Sequence, residues 1–378
     1  MSSASGFVNR NRKAFNPPEA KPLPNVKPLK FGILGAAAIA PDALLTPVKS
    51  HPEAVVHAVA ARDKARAGAF AKKHGIAKAY GSYQELIDDP EIDAIYNPLP
   101  NGLHYEWTMK ALAGGKHVLL EKPCVNTAEE ARKMFQLADA KGLVLLEAFH
   151  YRFHPANHRI KAIIDSGELG AVKSTKTSLT FPAGLFKTDD IRYNYSLGGG
   201  ALMDMGSYTV SSMRYFTGQN PTQVLSAKHE LANPQIDRRT EATFALPGSI
   251  TSTIVCDLGM PWKFKLIPSM PDLNAVITCE KGDIKVTNYI APTAYHSITV
   301  TAGGKRRVEK AYTFPDLGEP WWTTYRYQLE EFVNKVKGRP TRTWITAEDS
   351  IQNMAAIESV YAKSGLGSRP KSSYVPPV

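Results

Sequence analysis

From residue 29 onward, short apolar runs alternate with stretches whose apolar residues recur at helical spacing, the pattern of a parallel α/β sheet. Runs at 29–34, 55–60, 94–96, 118–121 and 144–148 read as strands. Between them, Asp63 is placed to cap a helix reaching residue 73. Ser82 with Glu85 and Thr127 with Glu130 have capping-box spacing, and Gly115 and Gly142 stand where helices should close. Residues 29–150 therefore read as one doubly wound Rossmann domain. After His150 the texture changes. A helix over 155–166 precedes a strand at 172–180, and Gly198-Gly199-Gly200 opens a helix running toward Gly218. Residues 222–311 are short, alternating, β-branched runs, as in a large, mainly antiparallel open sheet, and helices follow near 323–336 and 347–364. Residues 151–378 are thus expected to form a second, α+β domain that binds substrate. The outer face of its sheet needs a cover, which a second subunit would supply, so a homodimer or higher homo-oligomer is expected.

A chain of 378 residues suits two cores better than one. No run approaches the roughly 20 apolar residues of a membrane helix, and the N-terminus lacks a secretory apolar core, so a soluble protein away from membranes is expected. Cys124, Cys256 and Cys279 are odd in number and widely spaced, which argues against a disulfide framework or a Cys-rich zinc site and for a reducing cytoplasm. The formal charge of +11 is concentrated in no Arg/Lys stripe, so nucleic acid is not an expected partner. A cationic surface instead suits a polyanionic cofactor. Residues 1–28 hold Pro17, Pro18, Pro22, Pro24 and Pro28 and read as an extended arm rather than a transit peptide, because the prolines oppose an amphipathic helix.

Two motifs carry chemistry. Gly32-Ile-Leu-Gly35-Ala-Ala-Ala-Ile-Ala40 follows a strand and opens a helix, the context of a dinucleotide site. Gly35 permits the tight turn, Ala37 and Ala40 are small enough for close backbone approach, and the helix N-terminus offers N–H groups to phosphate. The second strand ends in Ala60-Ala61-Arg62, with Lys64 and Arg66 close behind, where an NAD site would place a carboxylate. A guanidinium there suits a 2′-phosphate and favours NADP over NAD, although Asp63 would be a ribose ligand in a register shifted by one. The second motif, His117-Val-Leu-Leu-Glu-Lys-Pro123, delivers a lysine to the ligand-binding edge of the sheet.

Together with Asn97-Pro-Leu-Pro-Asn101-Gly-Leu-His104, Glu147-Ala-Phe-His-Tyr-Arg152-Phe-His-Pro155 and Gly198-Gly-Gly-Ala-Leu-Met-Asp204-Met-Gly-Ser-Tyr208, these motifs resemble the Gfo/Idh/MocA family of NAD(P)-dependent oxidoreductases. The likeness spans residues 29–365. Within the family it is greatest for the branch of dimeric trans-dihydrodiol dehydrogenase and NADP-dependent D-xylose 1-dehydrogenase. The resemblance implies a catalytic group of Lys122, Asp204 and Tyr208, with Lys122 on the reacting oxygen. It implies cofactor contacts at Ala36, Ala37, Ala38, Ile39, Ala61, Arg62, Arg66, Leu99, Asn101, His104, Glu121, Lys122, Arg152, Arg192 and Tyr325. Many relatives carry His where Tyr208 stands, so the base here is a phenol.

Independently of the family, Asp204 and Tyr208 are four apart in an expected helix and share a face, with a glycine-rich entry that allows a ligand close approach. A lysine about 4 Å from the phenol would lower its pKa by up to about three units at an effective dielectric near 20. Asp204 pulls the other way, so the net sign stays open. The expected chemistry is removal of a hydroxyl proton by Tyr208 as hydride leaves the same carbon for nicotinamide. Arg192, Tyr193, Asn194 and Tyr195 form a polar lip, so Tyr193 and Asn194 join Lys122, Asp204 and Tyr208 as substrate contacts. His150 and His154 lack the glutamate of a metalloprotease helix, and no metal is expected. Trp321 and Trp322 are either core aromatics or a sugar-stacking wall. The activity expected is oxidation of a sugar-like hydroxyl, first the C1 hydroxyl of an aldose of the D-xylose type. The alternatives are a trans-dihydrodiol, a keto sugar, or a nucleotide-binding regulator without catalysis.

Overall fold

The computed structural model describes residues 4–21, 23–262, 264 and 266–376; Pro22 and the last two residues of the second domain lie outside them. The first departure from expectation is at the N-terminus, where Ala4–Phe15 forms a helix, α1. Every proline of the segment follows residue 15, so nothing breaks the helix. Arg10 anchors it. Its Nε donates to the Thr293 carbonyl at 2.9 Å, and its guanidinium lies 3.9 Å from the Tyr312 ring centroid.

The Rossmann unit then runs β1 (Leu29–Leu34), a π-helical turn (Pro41–Leu45) continuing as α2 (Thr46–Lys49), β2 (Ala54–Ala60), α3 (Lys64–His74), β3 (Lys78–Tyr80), α4 (Tyr83–Asp88), β4 (Ala94–Asn97), α5 (His104–Ala113), β5 (His117–Leu120), α6 (Ala128–Ala140) and β6 (Leu145–Glu147). Its strands are all parallel, in the order β3-β2-β1-β4-β5-β6. The order reverses between β1 and β4, which opens a crevice at their C-terminal ends. Both faces of the sheet are covered, so β4, β5 and β6 are nearly continuous apolar runs with little alternation. Glu121 and Lys122 fall just beyond the end of β5, and the Lys122–Pro123 peptide is cis.

The second unit holds α7 (Pro155–Asp165), β7 (Val172–Pro182), a π-helical turn (Leu202–Gly206) leading into α8 (Ser207–Thr217), β8 (Gln223–Asn233), β9 (Ile236–Leu246), β10 (Ile250–Met260), β11 (Ala275–Cys279), β12 (Gly282–Thr287), β13 (Ser297–Ala302), β14 (Lys305–Glu309), α9 (Thr324–Val336) and α10 (Ala347–Ser364). Among the described residues its strands make an eight-stranded sheet, β14-β13-β12-β11-β7-β10-β9-β8, antiparallel except for the β7–β10 pair. Burial alternates along β9 and β12, as in a sheet with one face turned inward, and α8 packs on β7 and β10 at the sheet's centre. Helix α9 crosses back to pack on both the π-helical turn at Pro41 and the 150–153 turn, which ties the second unit to the cofactor side of the first.

Candidate active site

The cradle at the end of β1 requires glycine at one position. Gly35 has φ +86°, its N–H donates to the Ala60 carbonyl at 2.7 Å, and a Cβ there would meet Leu99 Cδ2 at 3.1 Å. Ala36 and Ala37 are half-buried, Ala38 and Ile39 are exposed, and Ala40 is fully buried, so a backbone surface faces the crevice while the helix behind it packs tightly. Beside it, Ala61 is buried and Arg62 and Arg66 are exposed; the Arg66 guanidinium donates to the Ala36 carbonyl at 3.2 Å. The Asp63 carboxylate accepts from the Ala65 N–H at 2.8 Å through Oδ1 as the N-cap of α3. A loop that only a small residue can turn, beside two cations, fits a dinucleotide bearing an extra phosphate.

Lys122, Asp204 and Tyr208 meet at the mouth of this crevice. Lys122 Nζ donates to Asp204 Oδ1 at 2.6 Å and to the Asp204 carbonyl at 3.0 Å, and lies 4.8 Å from the Tyr208 ring centroid. Arg192 Nε donates to the other oxygen, Asp204 Oδ2, at 2.6 Å. Burial raises the Asp204 carboxyl, but the two cations outweigh it and hold the group well below the ordinary carboxylate range. Arg192, expected on the cofactor, is therefore committed to Asp204 and, through a second nitrogen, to Asp190 at 3.0 Å. Tyr208 is also differently placed from the expectation of a lysine beside its oxygen. Lys122 lies over the ring, and burial, then Tyr325, Glu121 and Asp204, push the phenol well above its ordinary pKa.

The hydroxyl's partner is a histidine that the sequence suggests only as a metal ligand. Tyr208 Oη is 2.8 Å from His150 Nε2, and His150 Nδ1 is 2.8 Å from Thr324 Oγ1. The Tyr325 ring stacks on His150 at 4.0 Å between centroids, which brings Tyr325 to the site through the histidine. His154 plays no part here: its Nδ1 accepts from the Ala156 N–H to cap α7.

Other expected contacts are positioned less directly. His104 is wholly buried with its ring nitrogens 2.9 and 2.6 Å from the Pro123 and Leu99 carbonyls, so it braces the two loops and has no nitrogen left for a cofactor. Glu121 accepts from the Tyr96 hydroxyl at 2.8 Å. Asn101 donates to the Gly198 carbonyl at 3.0 Å and so joins the two units. Arg152 pairs with Asp349 at 3.3 Å and lies over the Tyr215 ring, 4.7 Å from its centroid. The Asn194 carboxamide caps the turn at Leu197, and Tyr193 with Asn194 borders a surface cleft shared with Asn233 and Gln235. Trp322 sits 3.8 Å from the Arg326 guanidinium and packs on Tyr327, and Trp321 is buried, so both belong to the packing of α9.

The Gly198–Gly200 triplet admits protein, not ligand. A Cβ on Gly199 would lie 2.5 Å from the Arg192 carbonyl, and one on Gly200, at φ +128°, would lie 2.4 Å from Asp237 Oδ1. Asp237 pairs with Arg369 at 2.7 Å, both wholly buried, and its other oxygen accepts from the Leu202 N–H at 2.7 Å, fixing the first turn of the helix that carries Asp204.

Comparison with known proteins gives the family. Residues 29–149 match the oxidoreductase family with an NAD-binding Rossmann fold, and residues 157–285 match the GFO/IDH/MocA C-terminal domain. A D-xylose 1-dehydrogenase (NADP(+)) from Haloferax volcanii is 33% identical over 90% of this chain and 98% of its own. The chain belongs to the Gfo/Idh/MocA family of oxidoreductases. Within the family, a trans-1,2-dihydrobenzene-1,2-diol dehydrogenase from Macaca fascicularis is 35% identical over 61% of this chain and 68% of its own. The 3-ketoreductase KijD10 from Actinomadura kijaniata, in complex with NADP and TDP-benzene, aligns at a TM-score of 0.77 and 25% identity over 93% of this chain and all of that one. Aldose-aldose oxidoreductase from Caulobacter crescentus also gives a TM-score of 0.77, over 90% of this chain and 98% of that one, but at 21% identity it speaks for the fold alone.

Proposed function

We propose that this oxidoreductase is an NADP-dependent dehydrogenase of a polyhydroxylated small molecule, with the C1 hydroxyl of an aldose such as D-xylose as the first candidate. The observation that carries the reading is the meeting of Lys122, Asp204 and Tyr208 beside a cradle flanked by Arg62 and Arg66. The relative from Haloferax volcanii, similar over nearly its whole length, supports both the cofactor and the substrate class. Gly35 and the Ala36–Ile39 loop would receive the pyrophosphate, and Arg62 the 2′-phosphate. NADP, when bound, supplies the hydride acceptor. Lys122, held in direction by Asp204, is placed to donate to the substrate oxygen and stabilise it as negative charge develops. Tyr208 would take the hydroxyl proton.

A vicinal dihydrodiol is the second reading, supported by the dihydrodiol dehydrogenase relative. Among the described residues no helix is long and apolar enough to cross a membrane. The three cysteines are free and buried, which supports a reducing cytoplasm, and the partly uncovered eight-stranded sheet supports a homodimer. The test is NADPH appearance at 340 nm with aldoses, polyols and dihydrodiols, using wild type, Lys122→Ala and Tyr208→Phe. Turnover on one class, reduced at least about a hundredfold in both variants with NADP still bound, is expected. Silence on every class with cofactor bound tightly would favour a regulator, and near-normal turnover in either variant would remove that residue's role.

A further inference from the structure

The proton that Tyr208 takes has no resting place on Tyr208, and the structure places a route away from it. Tyr208 Oη, His150 Nε2, His150 Nδ1 and Thr324 Oγ1 form one unbroken line with 2.8 Å at each hydrogen bond. The three side chains come from the turn after β6, from α8 and from the start of α9. The imidazole is wholly enclosed, with Tyr325 stacked on its face and Tyr208 edge-on at 5.5 Å between centroids, so its orientation is fixed. Thr324 also lines a cavity of about 190 Å³ whose walls include Asp42, Thr46, Thr323 and Asn11 of α1. At roughly 30 Å³ per molecule, that cavity has room for several waters; its lining is mainly apolar, with Ala14, Phe15 and Ala291 beside these polar groups, so a water held there would rest on Asp42, Thr46 and the threonines.

We propose that His150 is a proton-relay residue, passing the proton accepted by Tyr208 through Thr324 to water in the cavity under α1, and returning it by the same line in the reductive direction. The proposal rests on Tyr208 acting as the base. As hydride leaves the carbinol carbon for the oxidised nicotinamide, the substrate O–H bond breaks and its proton bonds to Tyr208 Oη. The Tyr208 proton moves to His150 Nε2, the Nδ1 proton to Thr324 Oγ1, and the threonine proton to a cavity water. Substrate loses a hydride and a proton, the dinucleotide gains the hydride, water gains the proton, and all three side chains end uncharged. Neutrality matters, because burial raises the phenol and lowers the imidazole to about 3, with Lys122 adding to the latter. Neither group holds a charge on its own, so the transfers are coupled.

The experiment has two parts. In the cofactor-free protein, ¹⁵N NMR of the histidines should show the His150 Nε2 resonance moving in Tyr208→Phe and the Nδ1 resonance moving in Thr324→Val; unmoved resonances would break the line. Single-turnover hydride transfer should slow at least about fivefold in both His150→Phe and Thr324→Val, with Thr324→Ser regaining speed over Thr324→Val and NADP affinity within about twofold of wild type throughout. The solvent deuterium inventory should be bowed in wild type and linear in Thr324→Val. If Tyr208→Phe abolishes turnover while His150→Phe and Thr324→Val stay within about twofold, the relay is wrong and the base assignment stands. If Tyr208→Phe turns over normally, the underlying reading fails instead. Thr324→Val keeps the proposal testable should His150→Phe fold poorly.

Discussion

Replacing Arg62 by alanine should separate NADP from NAD. Arg62 is exposed at the end of β2 and makes no ion pair among the described residues, and Asp63 beside it caps α3. A 2′-phosphate about 4 Å away would gain about 4 kcal/mol per unit charge at a dielectric near 20, but about 1 kcal/mol in bulk water. Exposure puts Arg62 near the lower limit, and a phosphate charge between one and two brings the loss to about 1.5–2 kcal/mol, roughly a 10- to 30-fold weaker NADP complex. NAD lacks the phosphate, so its affinity should stay within about twofold. Calorimetric titration of both dinucleotides against wild type and Arg62→Ala measures the ratio directly. Raising the salt from 0.1 to 1 M shortens the screening length from about 10 to about 3 Å and should shrink the wild-type preference toward that of the variant. Arg66→Ala is the contrast, because Arg66 also holds the Ala36 carbonyl and its loss should weaken both dinucleotides. Equal losses for NADP and NAD in Arg62→Ala would refute the assignment.

Asp204→Asn should cut kcat about a hundredfold, because an amide keeps one of the two oxygens that face Lys122 and Arg192 and turns an NH2 donor toward the other cation; a kcat within about twofold of wild type would show the clamp to be dispensable. The same variant should lose about 1–3 kcal/mol in denaturant unfolding, less than a fully buried pair, since Lys122 and Arg192 are partly exposed. Glu147, wholly buried, is raised by burial to about 7 from an ordinary 4.5. The folded state therefore keeps a proton the unfolded chain has lost, so stability falls as pH rises from about 4.5 to 7 and levels off above, by about 3 kcal/mol in all. Glu147→Gln keeps an acceptor for the Cys124 N–H and should flatten that slope in thermal melts; an unchanged slope would place the titration elsewhere.

What the sequence made legible is local. The Rossmann order follows from strand-and-helix periodicity, caps such as Ser82 and Thr127, and a glycine turn, each decided within a few residues. The companions of the site are decided by contacts across great distances along the chain: Arg10 to Thr293 spans 283 residues, and His150 to Thr324 spans 174. No periodicity records such pairs, so in the sequence His150 is weighed only as a metal ligand and residues 1–28 read as an extended arm. The glycine triplet shows how a correct local observation takes the wrong partner. Close approach is indeed required at Gly200, but what approaches is Asp237 with Arg369 behind it, and Asp237 in turn fixes the Leu202 N–H. The helix that presents Asp204 to Lys122 thus starts where the C-terminal segment holds it. The residues after α10 consequently belong to the site's support, although none carries a motif and none of the described ones has a bond to the cleft's charged cluster.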